Sequence, residues 1–183
     1  MTFDSIDAIL DLFHRWGTDH YDEDITQLDH GLQCAAHARA SGGTDALVIA
    51  ALLHDIGHLI DIEAGGTVEH PISQRHEDVG AASLSALFPA AVTAPIALHV
   101  RAKRYLAATE PGYIAGLSAG SLSSLGRQGG AMSAKELASF ESNPAFADAC
   151  ALRRWDDLGK VEGLVVEPLD SYVEMLNRLA ASR

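Results

Sequence analysis

The sequence predicts an all-α fold, a single domain over residues 1–183. Three observations carry this: apolar residues recur at helical spacing in segment after segment, strand signals are almost absent, and most helical segments bring their own cap or stop. Ile6, Ile9, Leu10 and Phe13 form one apolar stripe, with Asp4 as cap and Gly17 as stop. A second helix is expected from Thr26 to Ala40, ended by Ser41-Gly42-Gly43. A third starts at Thr44 and runs on through ALVIAALLHDIGHLI. It is apolar nearly all round, the pattern of a central buried helix. Asp61 to Arg75, rich in Gly, Thr, Ser and Pro, reads as a loop. His76 to Phe88 is helical again, and Pro95 suits the first turn of a helix reaching Ala108. Ser118 to Gln128 reads as a short helix stopped by Gly129-Gly130, and Ser133-Ala-Lys-Glu136 is a capping box opening the next. Asn143-Pro144 starts a helix through Trp155-Asp156-Asp157. Val165-Val166 reads as a short extended piece, and Pro168 to Ala181 as a closing amphipathic helix.

Composition narrows the function. Lys and Arg total 13 against 25 Asp and Glu, a net charge of −12. That balance argues against nucleic acid or an anionic membrane as the main partner. It leaves room for a small anionic substrate, since a metal or one lysine can reverse the field locally. No apolar run is long enough to span a membrane, and MTFDSIDAIL lacks the order of a signal peptide. Two cysteines, Cys34 and Cys150, suit a reducing compartment, so a cytoplasmic location is expected. The unusual count is nine histidines.

The strongest local signal is His54-Asp55-Ile-Gly-His58 inside the most apolar helix. A lone buried carboxylate is costly by several kcal/mol or more, and a divalent metal removes that problem. His30 lies on the preceding helix, and the short Ser-Gly-Gly connection makes the two helices antiparallel neighbours, so His30 can face His54. Cys34 and His37 share that helix; Cys34 reads as a small buried residue and His37 as ordinary. His76 and His99 each open a new helix to the set, and Asp156 offers a late carboxylate. The six candidate ligands are His30, His54, Asp55, His76, His99 and Asp156. Four imidazoles and two carboxylates suit iron, manganese or zinc better than magnesium or calcium.

The order H…HD…H…H…D, with HDIGH, resembles the HD-domain superfamily of metal-dependent phosphohydrolases. KRYL, QGGAMS and RRWDD narrow the resemblance to its oxygenase branch, the mixed-valence di-iron enzymes. Within it the sequence is most similar to the phosphonate-cleaving dioxygenases typified by 2-amino-1-hydroxyethylphosphonate dioxygenase, with myo-inositol oxygenase as a more distant relation. The similarity is strongest over residues 20–162 and includes TQLDHGLQCA, AALLHDIGHL, RHEDVGA, LHVRAKRYL, PGYIAGLS, LGRQGGAMS and LRRWDDLGK. The resemblance implies an Fe(II)/Fe(III) pair bridged by Asp55. One iron takes His30, His54 and Asp156, the other His76 and His99. Asp156 is preferred to Asp157 because related oxygenases place a lysine four residues after the ligand, as Lys160 stands here. His58 would face the substrate or a ligand instead of binding metal.

Lys103 stands one turn beyond His99, which suits an oxygen of a metal-bound phosphonate. Ser121, Ser124 and Gln128 share one face of a short helix, an ordinary exposed polar face unless the resemblance holds, in which case it contacts the phosphonate. The resemblance further implies that Tyr21 and Glu23 form a lid, the Tyr on iron until substrate displaces it and the Glu on the substrate amine. The expected reaction is iron- and O2-dependent cleavage of the C–P bond of a 1-hydroxy-(2-amino)alkylphosphonate, giving phosphate and a carboxylate such as glycine or a betaine. Asp55, His58 and Lys103 would be its catalytic residues. The rival reading is a metal-dependent phosphohydrolase acting on a phosphomonoester or nucleotide, because both chemistries use a carboxylate-bridged metal pair.

Overall fold

The computed structural model describes residues 2–19, 25–67 and 75–181. Among these the elements are helical: α1 (Ile6–Trp16), α2 (Gln27–Ala40), α3 (Asp45–Leu53), α4 (Ile56–Glu63), α5 (His76–Leu84), α6 (Ala90–Thr109), α7 (Ala119–Arg127), α8 (Ala134–Glu141), α9 (Phe146–Leu158) and α10 (Val173–Ala181). Short 3-10 turns at Ile114–Gly116 and Leu169–Tyr172 precede α7 and α10.

The caps explain most boundaries. Ser5, not Asp4, caps α1, its hydroxyl accepting from the Ala8 amide at 3.3 Å. Thr26 and Thr44 cap α2 and α3 in the same way, and Ser133 with Glu136 forms the expected capping box on α8. Several helix boundaries differ from expectation. The third helix is not continuous: His54 ends α3, and Asp55, with φ −100° and ψ 11°, begins α4. The residues that continue helically past Asp61 shorten the expected loop, since α4 runs to Glu63. Helix α5 stops at Leu84, before Phe88. Helix α6 starts at Ala90 behind Pro89, so Pro95 lies inside it. The carbonyl that Pro95 leaves without a donor is that of exposed Ala91, which water can reach. Val165-Val166 forms no strand, and Val165 is almost fully exposed.

Helices α6 and α9 pack most extensively on each other, as do α2 and α3. Ile49, Leu52, Leu53, Ile56 and Leu59, all essentially buried, make α3 and α4 the centre of the larger hydrophobic core, with α1, α5 and α10 around them. A second cluster of Ala102, Met132, Phe140 and Ala149 joins α6 to α8 and α9. At about 25 cal/mol per Å2 of apolar surface, each of the Leu, Ile, Met and Phe side chains among these contributes roughly 1.5–3 kcal/mol. The polar groups described next are held within this packing. No helix among the described residues is long and apolar enough to cross a membrane.

Candidate active site

The break at His54-Asp55 is the origin of the site. Asp55 occupies the cap position of α4 but makes no side-chain cap. Its carboxylate turns inward instead, at the positive end of the α4 dipole. One oxygen, Oδ2, lies 3.5 Å from His54 Nε2 and 3.7 Å from His30 Nε2. The other, Oδ1, lies 3.3 Å from His76 Nε2 and 3.6 Å from His99 Nε2. Asp156 joins the first pair only, with Oδ1 3.4 Å from His30 Nε2 and Oδ2 3.7 Å from His54 Nε2. The imidazoles within each pair converge: His30 and His54 Nε2 are 3.2 Å apart, His76 and His99 Nε2 3.1 Å. The six residues singled out from the sequence therefore meet at one point, from five helices or helix junctions.

The far nitrogens explain the aim of the near ones. His54 and His99 use the same local device: each donates Nδ1–H to the carbonyl three residues back, Ala51 at 2.9 Å and Ile96 at 2.8 Å. His30 instead donates to Gly159 O at 2.7 Å, across the interface with α9. Gly159 is required there, because a Cβ would lie 2.5 Å from Cys34 Sγ. His76 has the Glu77 carboxylate 3.6 Å from its Nδ1. With Nδ1 bound to a carbonyl in His30, His54 and His99, the Nε2 of each neutral ring is left as a lone-pair donor, the arrangement a metal needs. Helix α5 reaches the site because Gly57 on α4 lets the His76 backbone carbonyl come into contact, a space that any Cβ would fill.

The charge states suit metal binding. Burial pulls the His54 and His99 imidazoles down, which keeps them neutral. Burial pushes the Asp55 carboxyl up, but His54 and His76 outweigh it and hold it well below the usual carboxylate range. The same opposition at Asp156 is decided by Arg153 and Lys160, which keep it ionised. Asp156 Oδ1 is nevertheless buried with no hydrogen-bond donor among the described residues. Burial also pulls on His30 and His76, but Cys34 and Asp156 outweigh it at His30 and Asp55 outweighs it at His76, so these two imidazoles are held up. A bound cation would take the place of their protons beside the two buried carboxylates. The donor set fits a pair of divalent or trivalent transition ions, not an all-oxygen magnesium shell.

A cavity of about 500 Å3 opens onto this cluster, bordered by Asp55, His76, His99 and Asp156. His58 lines it and stacks on His76, ring centroids 4.1 Å apart; burial, then His76, pull the His58 imidazole down to about 3. Lys103, only 3% exposed, donates to Ser124 Oγ at 2.7 Å. Ser121, Ser124 and Gln128 all line the cavity from α7, and Gln128 Oε1 is buried there with no hydrogen-bond partner among the described residues. Tyr21 and Glu23 lie outside the described residues, as do His20 and His70. His14 is exposed and His37 half-buried, away from the cluster. Cys34 is buried, with Sγ 3.5 Å from the Trp155 carbonyl and 3.8 Å from the His30 ring nitrogens.

An HD-domain family model matches residues 28–127. A hydroxymethylphosphonate dioxygenase of Gimesia maris is 44% identical over 169 residues, covering 91% of this chain and 84% of the relative. A glycine-betaine-forming [1-hydroxy-2-(trimethylamino)ethyl]phosphonate dioxygenase of Leisingera caerulea is 36% identical over 175 residues, covering 95% and 89%. An uncharacterized protein of Acanthamoeba polyphaga mimivirus is 33% identical over 180 residues, covering 94% and 80%.

The chain belongs to the HD-domain dioxygenases.

Among the cavity residues of this HD-domain dioxygenase that sequence reasoning missed, two carry charge close to the cluster. Arg153 is 3% exposed and lies between Asp156 and Asp157, reaching Ser121 Oγ at 3.5 Å. In RRWDD it looks like a solvated helix arginine, and only the packing of α9 on α6 buries it. Glu77 also lines the cavity, its Oε2 buried without a hydrogen bond among the described residues, and burial pushes its carboxyl up. Its neighbour in sequence, His76, was the available signal. Lys160, used only to align the motif, donates to Ser121 Oγ at 2.7 Å and sits 3.8 Å from Asp156 Oδ1.

Proposed function

We propose that this enzyme cleaves the C–P bond of a 1-hydroxyalkylphosphonate with O2, giving phosphate and a carboxylate. Both oxygen atoms enter the products: hydroxymethylphosphonate plus O2 balances to formate plus phosphate. The observation that carries this reading is the Asp55 carboxylate, shared between two imidazole pairs at the head of a cation-lined cavity. His30, His54 and Asp156 would hold one iron, His76 and His99 the other, with Asp55 common to both. A mixed-valence iron pair supplies O2 binding and the electron transfer that the protein alone lacks.

The chain's own residues bind and orient the substrate. Lys103, Arg153 and Lys160 converge on Ser121 and Ser124, so a phosphonate dianion entering there meets three cations and two hydroxyls. Lys103 and His99 lie one turn apart on α6, which sets the phosphorus end of the substrate close to the His76–His99 pair. His58, kept neutral, faces the carbinol end and can hold its hydroxyl proton at a ring nitrogen. Gln128 offers an acceptor at the rim of the same subsite. Tyr21 and Glu23 complete the proposed site as a lid and an amine contact.

The test is phosphate release from hydroxymethylphosphonate and from 1-hydroxy-2-(trimethylammonio)ethylphosphonate, with and without O2, on protein of measured metal content. About two irons per chain and release that requires O2 are expected, as dinuclear oxidative chemistry demands. Equal release without O2 would mean hydrolysis, and magnesium as the bound metal would overturn the iron assignment.

A further inference from the structure

Two segments that carry the family likeness, PGYIAG and RRWDD, contain residues the proposed chemistry does not use: Tyr113 and Asp157. They belong to one partly buried network around buried Arg153. Asp157 grips Arg153 from one side, Oδ1 on Nη2 and Oδ2 on Nε at 3.2 Å. Tyr113 donates its hydroxyl to Asp157 Oδ2 at 2.6 Å and accepts from Arg153 Nε at 3.2 Å. Arg153 therefore has no freedom to turn. Its remaining nitrogen, Nη1, donates to Asp156 Oδ2, and Nη2 reaches Ser121 Oγ at 3.5 Å. A guanidinium is a planar fork, so three acceptors on fixed sides determine where the fourth bond goes.

The charge argument points the same way. A buried guanidinium facing Asp156 alone would neutralise it and weaken it as a metal ligand. With Asp157 present, the Arg153 charge already has a counter-ion, and Asp156 keeps its own. The outcome is visible at Asp156: Oδ2 is occupied by Arg153, while Oδ1 is buried without a hydrogen bond among the described residues, 3.4 Å from His30 Nε2. Tyr113 leads into the 3-10 turn Ile114–Gly116 and then α7, so the same network ties the Ser121 hydroxyl to Asp156.

We propose that Tyr113 and Asp157 are positioning residues of this enzyme. They lock the Arg153 fork so that Asp156 presents one oxygen toward His30, and they hold that arrangement in register with the phosphonate subsite. The inference rests on the metal-centre reading above, but its test does not need turnover.

The experiment compares Asp157→Asn, Asp157→Glu, Tyr113→Phe and Arg153→Lys with the parent, each loaded with iron. Three quantities are measured: the rate of metal release to a chelator well below the melting temperature, the inhibition constant of inorganic phosphate, and the melting temperature itself. Asp157→Asn is expected to release metal about 10–100-fold faster, the usual effect of removing a partner that orients a ligand. Its phosphate affinity should fall in parallel, and Asp157→Glu should recover part of both. Tyr113→Phe removes one hydrogen bond and shifts both by about 2–10-fold. Arg153→Lys should behave like Asp157→Asn, since an ammonium cannot serve four acceptors as a fork does. Metal release at the parent rate in Asp157→Asn and Tyr113→Phe overturns the proposal, including when the melting temperature alone has dropped. If phosphate release by the parent proves independent of O2 while Asp157→Asn still sheds metal faster, the proposed function fails and this inference stands.

Discussion

The two ends of the Asp55 carboxylate are built differently. The Oδ2 end faces His30 and His54, both fully buried, and Asp156, and neither imidazole borders the cavity. The Oδ1 end faces His76 and His99, which do border it, beside His58 and Lys103. The closed end is tied across the chain by His30 to Gly159, 129 residues apart, and locally by Asp156 to Arg153 and Lys160, three and four residues away. The open end has two protein donors and free space. A metal position with a full donor set serves to hold and tune, whereas one with missing ligands is where substrate binds. One carboxylate between them lets the closed end influence the open end directly.

The largest expected effect comes from removing what the ends share. Asp55→Ala should lose both metals and lower oxygen-dependent phosphate release by about 10³-fold or more, the equivalent of several kcal/mol of metal-centred stabilisation. Metal analysis of the purified variant checks it, and retention of two metals would break the comparison.

Gly57→Ala separates the ends. Its methyl group collides with the His76 carbonyl, so α4 and α5 must part, at a cost of roughly 1–3 kcal/mol. The open end should lose its metal first, leaving about one per chain. Loss of both together would show that the two ends are not independently supported.

Lys103→Ala tests the subsite beside the open end. Removing a charge-assisted contact worth about 1.5–3 kcal/mol should lower kcat/KM by about 10–100-fold with metal content intact. Its pH dependence follows from the same burial. Burial, then the Arg153 charge, pull the Lys103 ammonium down to about 8. The charged form that binds an anion is present below that pH and lost above it. Phosphate affinity should therefore weaken as pH rises through about 8, and Lys103→Arg should remove the dependence. Metal lost from Lys103→Ala would assign it to the centre itself.

The smallest effect is a control outside both ends. Arg178→Ala breaks an exposed ion pair with Asp45 and should change stability by less than about 1 kcal/mol, measured by denaturant titration, with activity unchanged.

Legibility in the sequence followed the range of the interaction. The helices were readable because caps and periodicity are local: Thr26, Thr44 and the Ser133–Glu136 box act within a turn. The six clustered residues were readable because ionisable groups inside apolar helices are costly and therefore conspicuous. The break at Asp55 was not readable, since Ala, Leu and Ile on both sides continue a helical pattern. The glycine at position 57 was visible, but not the carbonyl it admits.

By itself the sequence determined the helical class, the identity of the polar groups inside it and, through KRYL, QGGAMS and RRWDD, the family. Composition and local pattern suffice for these, because each depends on residues close together in the chain. Only the tertiary structure decided which histidine faces which oxygen of Asp55, that Arg153 is buried instead of solvated, and that Asp157 and Tyr113 stand behind it. Those depend on α9 packing across α2 and α6, and the partners they bring together, such as His30 with Gly159 and Gln33 with Val161, are 129 and 128 residues apart.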